Sequence, residues 1–172
     1  MKFSIFFILL IILASCSKKS DVDLYNDAKA AEGKKDFQKA SELYEQIVNQ
    51  FSTTAYAETS LLRLSVIYNN DLKNSREAIH SYQRYYTMFP TSKQAPTMLF
   101  LSGFIYNNDL HQIDSARIVY DTFLKKYPDH ELVASARFEL ETLGKDPSQT
   151  LNPQTIAVDD SKIKPAKKAP KK

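Results

Sequence analysis

Ile67-Tyr68-Asn69-Asn70-Asp71-Leu72 returns 38 residues later as Ile105-Tyr106-Asn107-Asn108-Asp109-Leu110. The same step carries the identity outward on the C-terminal side. It joins Ala40 to Ala78 and Ala116, Tyr44 to Tyr82 and Tyr120, and Ile47 to Tyr85 and Phe123. Phe51, Phe89 and Tyr127 follow it too, and Pro90 and Pro128 share it, with Ser52 standing in the first copy. Self-similarity at a fixed step of this length is the signature of a repeat architecture, in which each unit hides its apolar face against the next.

Each copy reads as two helices. In Ala40-Ser41-Glu42-Leu43-Tyr44-Glu45-Gln46-Ile47-Val48-Asn49-Gln50-Phe51 the apolar residues fall at 40, 43, 44, 47, 48 and 51, the i, i+3, i+4, i+7 spacing of an amphipathic helix. Phe51-Ser52-Thr53-Thr54, Phe89-Pro90-Thr91-Ser92 and Tyr127-Pro128-Asp129-His130 end these helices, because proline disfavours helix at the residue before it. Gly33-Lys34-Lys35-Asp36, Asn69-Asn70-Asp71 and Asn107-Asn108-Asp109 are polar turns between the members of each pair. The spacing predicts an all-α solenoid over 22–143, with helix pairs over about 22–53, 56–91 and 94–129. A closing helix is expected over 131–143, where Leu132, Ala136, Leu140 and Leu143 form one stripe before Gly144.

These residues resemble the tetratricopeptide repeat (TPR). Leu99, Ser102-Gly103, Tyr106, Ala116, Tyr120, Phe123 and Pro128 match its pattern of a large apolar residue, a small pair, Tyr, Ala, Phe and a closing Pro. The second copy offers Leu61, Leu64-Ser65, Tyr68, Ala78, Tyr82 and Pro90, and the first Leu24, Ala28 and Ala31. The copies exceed the usual repeat length of about 34 residues, with one residue added in the inter-helix turn. Similar lengthening marks envelope lipoproteins and periplasmic proteins of the BamD and Tol-Pal coordinator type, which the chain therefore resembles over residues 21–143.

The first residues read as an address. Met1-Lys2 precedes an apolar run from Phe3 to Ala14 that has the length of a signal-peptide core. Leu13-Ala14-Ser15-Cys16 resembles the bacterial lipobox, in which the cysteine is lipidated and becomes the new N-terminus. Residues 1–15 are thus expected to be removed, leaving 16–21 as a lipidated linker. Diacylglyceryl and a palmitate-type acyl chain on Cys16 bury many CH₂ groups, each contributing about 0.8 kcal/mol. Ser17 after the cysteine resembles an outer-membrane sorting signal, facing the periplasm. Beyond Gly144 the chain has few large apolar residues and ends Lys164-Pro165-Ala166-Lys167-Lys168-Ala169-Pro170-Lys171-Lys172. Residues 144–172 are expected to be a disordered tail, either a solubilising spacer or a contact for peptidoglycan or anionic lipid.

The resemblance implies a concave face built from the first helix of each pair. Carried over, its inward positions are Tyr25 and Lys29, then Leu62, Val66, Asn69 and Asn70, then Phe100, Phe104, Asn107 and Asn108. Such a face would be apolar with an amide rim and would grip a segment of another envelope protein. Two readings stand for the apolar members, an open face or a core covered by the closing helix or tail. The paired Asn residues also suit turns for backbone reasons alone. Either an assembly adaptor of BamD type or a structural, peptidoglycan-associated lipoprotein follows. No enzyme and no cofactor are expected: Cys16 is committed to lipid, and His80, His111 and His130 join no catalytic or metal-binding motif. A net charge of +3 is too small to argue for nucleic acid.

Overall fold

The computed structural model describes residues 18–145. The expected signal peptide, Cys16 and the tail beyond Lys145 lie outside the described residues. Seven α-helices follow in order: α1 Asp21–Gly33, α2 Phe37–Gln50, α3 Ala55–Val66, α4 Ser75–Met88, α5 Ala95–Asn108, α6 Ile113–Lys126 and α7 Val133–Thr142. Among the described residues there is no strand. The fold is the TPR-like helical solenoid, three helix pairs and a closing helix. Helix ends shift by a residue or two from the expected bounds, the usual fraying; the closing helix, expected over 131–143, is Val133–Thr142.

The chain divides into two compact units, Met1–Arg63 and Leu64–Lys172. In the first, α1 packs on α2. Leu24 and Ala28 of α1 and Ala40, Tyr44 and Ile47 of α2 are buried. Tyr25 packs edge-on against Tyr44 and tilted against Tyr56, with ring centroids 5.8 and 5.0 Å away. Glu32, at the end of α1, accepts a hydrogen bond from the Tyr44 hydroxyl at 2.8 Å and another from the Arg63 guanidinium.

In the second unit α4 packs on α5, α5 on α6 and α6 on α7. The core is Leu99, Phe100, Ala116, Val119, Tyr120, Phe123 and Ala136, flanked by Leu132, Val133, Leu140 and Leu143. Gly103 lets α5 and α6 approach. A methyl group there would stand 2.9 Å from Tyr120 Cε1 and 3.0 Å from Val119 Cγ1. Ser65 and Ala28, both buried, hold the matching position in the earlier pairs. Burial pushes the hydroxyls of Tyr44, Tyr82 and Tyr120 above their ordinary pKa.

The inter-helix turns account for the added residue. In the first pair Lys34 N–H donates to Ala30 O at 3.2 Å, an ordinary α-helical bond. In the second, Leu72 N–H reaches five residues back to Ile67 O at 2.9 Å, and Ile67–Asp71 forms a π-helical turn. Leu110 N–H repeats the five-residue reach to Ile105 O at 3.1 Å in the third. One extra residue is therefore stored inside the helix end as a wider turn, and the geometry beyond it stays in step. Lys35, Lys73 and His111, each 38 residues from the next, all adopt the left-handed conformation, with φ of 61°, 52° and 52°. Each is followed by the N-cap of the second helix: Asp36 accepts from Lys39 N–H at 3.1 Å and Asn74 from Glu77 N–H at 3.3 Å. Gln112 makes no side-chain cap bond. Asn74→Ala is expected to cost about 1 kcal/mol, and Gln112→Asn to return stability of similar size, in urea titrations; two flat results would remove the caps from the stability account.

Candidate functional site

Two of the exposed large apolar side chains are Val66 and Phe104, at 38% and 42% exposure. They occupy the same repeat position on α3 and α5. Phe104 lines a cleft of about 410 Å³ in the second unit. The cleft is built where the π-helical turn and the start of α4 meet α5. Asn69, Asn70 and Lys73 come from the turn, Ser75 and Tyr82 from α4, and Leu101, Ile105 and Asp109 from α5 and its end. The two copies of the repeated hexapeptide thus meet in one place.

The polar groups of the cleft are organised. Asn69 Nδ2 donates to Asn70 Oδ1 at 2.8 Å, which orients the two amides with respect to each other. Ser75 Oγ donates to Asp109 Oδ2 at 2.8 Å, tying the start of α4 to the end of α5. Lys73, in the left-handed conformation, is exposed at the edge of the cleft. The arrangement offers amides, one ammonium and hydroxyls beside an apolar wall of Phe104 and Leu101. That chemistry pairs with polypeptide backbone and shelters an apolar side chain. Among the described residues no group of three or more His, Cys, Asp or Glu side chains could hold a metal ion.

The structure separates the residues singled out from the sequence. Asn69, Asn70 and Phe104 come together in the cleft. Phe100 does not belong to an open face. It is 9% exposed, and its ring lies 5.5 Å from Tyr120 and 5.9 Å from Phe123. The correction has a packing cause, because α6 presents aromatic rings along the α5 face that Phe100 occupies. Asn107 is partly buried and its amide donates to Glu139 of α7 at 3.4 Å, so the closing helix has engaged it. Asn108 donates to the Phe104 carbonyl at 2.9 Å, a helix-end contact. Tyr25 is engaged by its tyrosine neighbours and Leu62 is partly buried. Lys29 is exposed and pairs with Glu32 at 3.4 Å.

Sequence reasoning missed Lys73, Ser75, Leu101 and Asp109, although Asp109 belongs to the repeated hexapeptide and Lys73 directly follows it. It also missed Phe138 of α7, 54% exposed, which stands 38 residues beyond Phe100. The repeat step alone would have found it.

The family model YfiO, described as an outer membrane lipoprotein, matches residues 17–146. The chain belongs to this family. Its match begins at the residue after Cys16 and ends just beyond the closing helix, so it covers every helix described above. The protein is therefore a TPR-like lipoprotein of the cell envelope. No helix among the described residues is long and apolar enough to cross a membrane. A search of curated proteins finds no match.

Proposed function

We propose that the chain is a non-catalytic, lipid-anchored scaffold that binds another envelope protein through the cleft of its second unit. The observation that carries this is the meeting of Asn69, Asn70 and the exposed Phe104 ring around one opening. An apolar side chain of the partner sits against Phe104 and Leu101, while the amides pair with its backbone. Acylated Cys16 holds the scaffold on the periplasmic face of the outer membrane. The family and its resemblance to BamD support a role as an adaptor in outer-membrane protein assembly.

A photo-crosslinking phenylalanine analogue at position 101, which lines the same cleft, tests the reading in native membranes, with Phe104 kept and with Phe104→Asp. It is expected to capture an envelope protein that mass spectrometry identifies. Phe104→Asp should lose that capture at least tenfold with an unchanged melting curve, because Phe104 is already 42% exposed. Undiminished capture by the folded variant dismisses the cleft. Recovery of peptidoglycan fragments alone, abolished by deleting 146–172, would instead make the protein a wall-associated structural lipoprotein.

A further inference from the structure

The closing helix keeps a large apolar residue on its outer side. Val133, Ala136, Leu140 and Leu143 turn toward the core around Tyr120. Ala134, Arg137, Phe138 and Glu141 recur at i, i+3, i+4, i+7 on the exposed side. Phe138, in the middle of that stripe, is 54% exposed. The end unit of a solenoid needs a polar outer face, since no further unit covers it, and Phe138 breaks that rule. It stands one repeat step beyond Phe100, which on α5 is covered by the rings of Tyr120 and Phe123. α7 is therefore shaped like the first helix of a further pair.

The chain is turned back at the end of α7. Leu143 lies at φ −50° and ψ 121°, Gly144 at φ 73°, and Lys145 N–H donates to Thr142 O at 2.9 Å. These are the angles and the bond of a type II β-turn, which reverses the chain, with glycine at the position that needs positive φ. The residues that follow are thus sent back along α7. Phe138 lies about 10 Å from Lys145 at the helical rise, and residues 146–151 can span up to about 20 Å.

The sequence that follows has the composition of a cover. Residues 147–158 carry no charged side chain, and Leu151, Ile156 and Val158 are the large apolar residues between Gly144 and Lys162. Val158 follows Phe138 by twenty positions, as Tyr120 follows Phe100. Asp159 and Asp160 come next. Arg137, beside Phe138, is exposed and makes no ion pair among the described residues.

We propose that residues 151–158 of this same chain dock on the outer side of α7, with Ile156 and Val158 against Phe138 and with Asp159 and Asp160 opposite Arg137. The segment lacks the Ala, Tyr and Phe that mark the other second helices, so it closes the solenoid as a cover and adds no repeat. A second copy is the weaker occupant. The outer side of a ten-residue helix is small beside the 1,200–2,000 Å² or so that a stable pairing buries, whereas a short tether holds the chain's own segment at an effective concentration of about mM. The contact depends neither on Cys16 nor on the cleft at Phe104.

A photo-crosslinking phenylalanine analogue at Ala134, one turn from Phe138 and exposed, tests this on the full chain in its native membrane, with Phe138 kept. Mass spectrometry is expected to find a cross-link within one chain, from position 134 into 151–158. Phe138→Asp should reduce it at least tenfold with unchanged circular dichroism, as should Ile156→Asp combined with Val158→Asp. In the purified full chain, backbone amides of 151–158 should exchange with deuterium several-fold more slowly than in the Phe138→Asp variant, while those of 166–172 exchange alike in both. A cross-linked product of twice the chain's mass makes this face an interface between copies and overturns the proposal. Cross-linking to a different protein overturns it too. So does a cross-link indifferent to the substitutions, or exchange of 151–158 that is equally fast with and without Phe138.

Discussion

Tyr120→Ala is expected to lower the unfolding free energy by about 3–5 kcal/mol, the range for truncating a fully buried aromatic. Tyr120 has no exposed surface, its ring lies 5.5 Å from that of Phe100, and its Cε1 faces the place where Gly103 lacks a side chain. Removing the ring leaves a void between α5 and α6 that a tightly packed interface closes only in part. The hydroxyl matters less. It is buried beside the Glu139 carboxylate without a well-formed hydrogen bond, so Tyr120→Phe should cost under about 1 kcal/mol. Gly103→Ala should cost about 1–3 kcal/mol by overpacking, and much less in the Tyr120→Ala background, where the closest obstructing atom is gone. Strict additivity of the two losses in urea titrations would show that Gly103 and Tyr120 do not share the contact described.

Loss of the Glu32 carboxylate has the next largest consequence. Its side chain is 11% exposed, and it accepts from Tyr44, which is fully buried, and from Arg63. Glu32→Ala leaves a buried hydroxyl and a guanidinium without their acceptor and should cost about 2–4 kcal/mol. The figure is below that for a fully buried pair because Arg63 is 33% exposed and can turn to water. Glu32→Gln keeps an acceptor for Tyr44 and should lose less. A double-mutant cycle with Arg63→Ala should return a coupling of about 1 kcal/mol or more. Zero coupling, with Glu32→Ala as stable as the parent, would reduce the network to a surface pair.

The repeat step was legible in the sequence because each helix pair buries equivalent residues. Ala40, Tyr44 and Ile47, with their two later counterparts, are constrained by the same contact three times over. The same logic made Leu132, Ala136, Leu140 and Leu143 readable as a closing stripe, and in the structure they flank or join the core around Tyr120. The candidate site was only half legible. Val66 and Phe104 stand exposed as an inner face requires, yet Phe100, four residues from Phe104 on the same helix, is core. Sequence spacing places both residues toward one side of α5. It does not say how far the rings of α6 reach around that side.

The identical hexapeptides make the division plain. Local chemistry alone determined that each ends a first helix, stores one extra residue and hands the chain to a left-handed position, and both copies do so. Tertiary structure decided what the paired asparagines then do. Asn69 and Asn70 bond to each other at the rim of an open cleft, whereas Asn107 is drawn to Glu139 of the closing helix and Asn108 turns back to its own backbone. The residues are the same, but only the Asn107 amide has a carboxylate of a neighbouring helix within reach, and the others settle on local partners. That carboxylate, Glu139, lies outside the hexapeptide and outside the repeat that contains it.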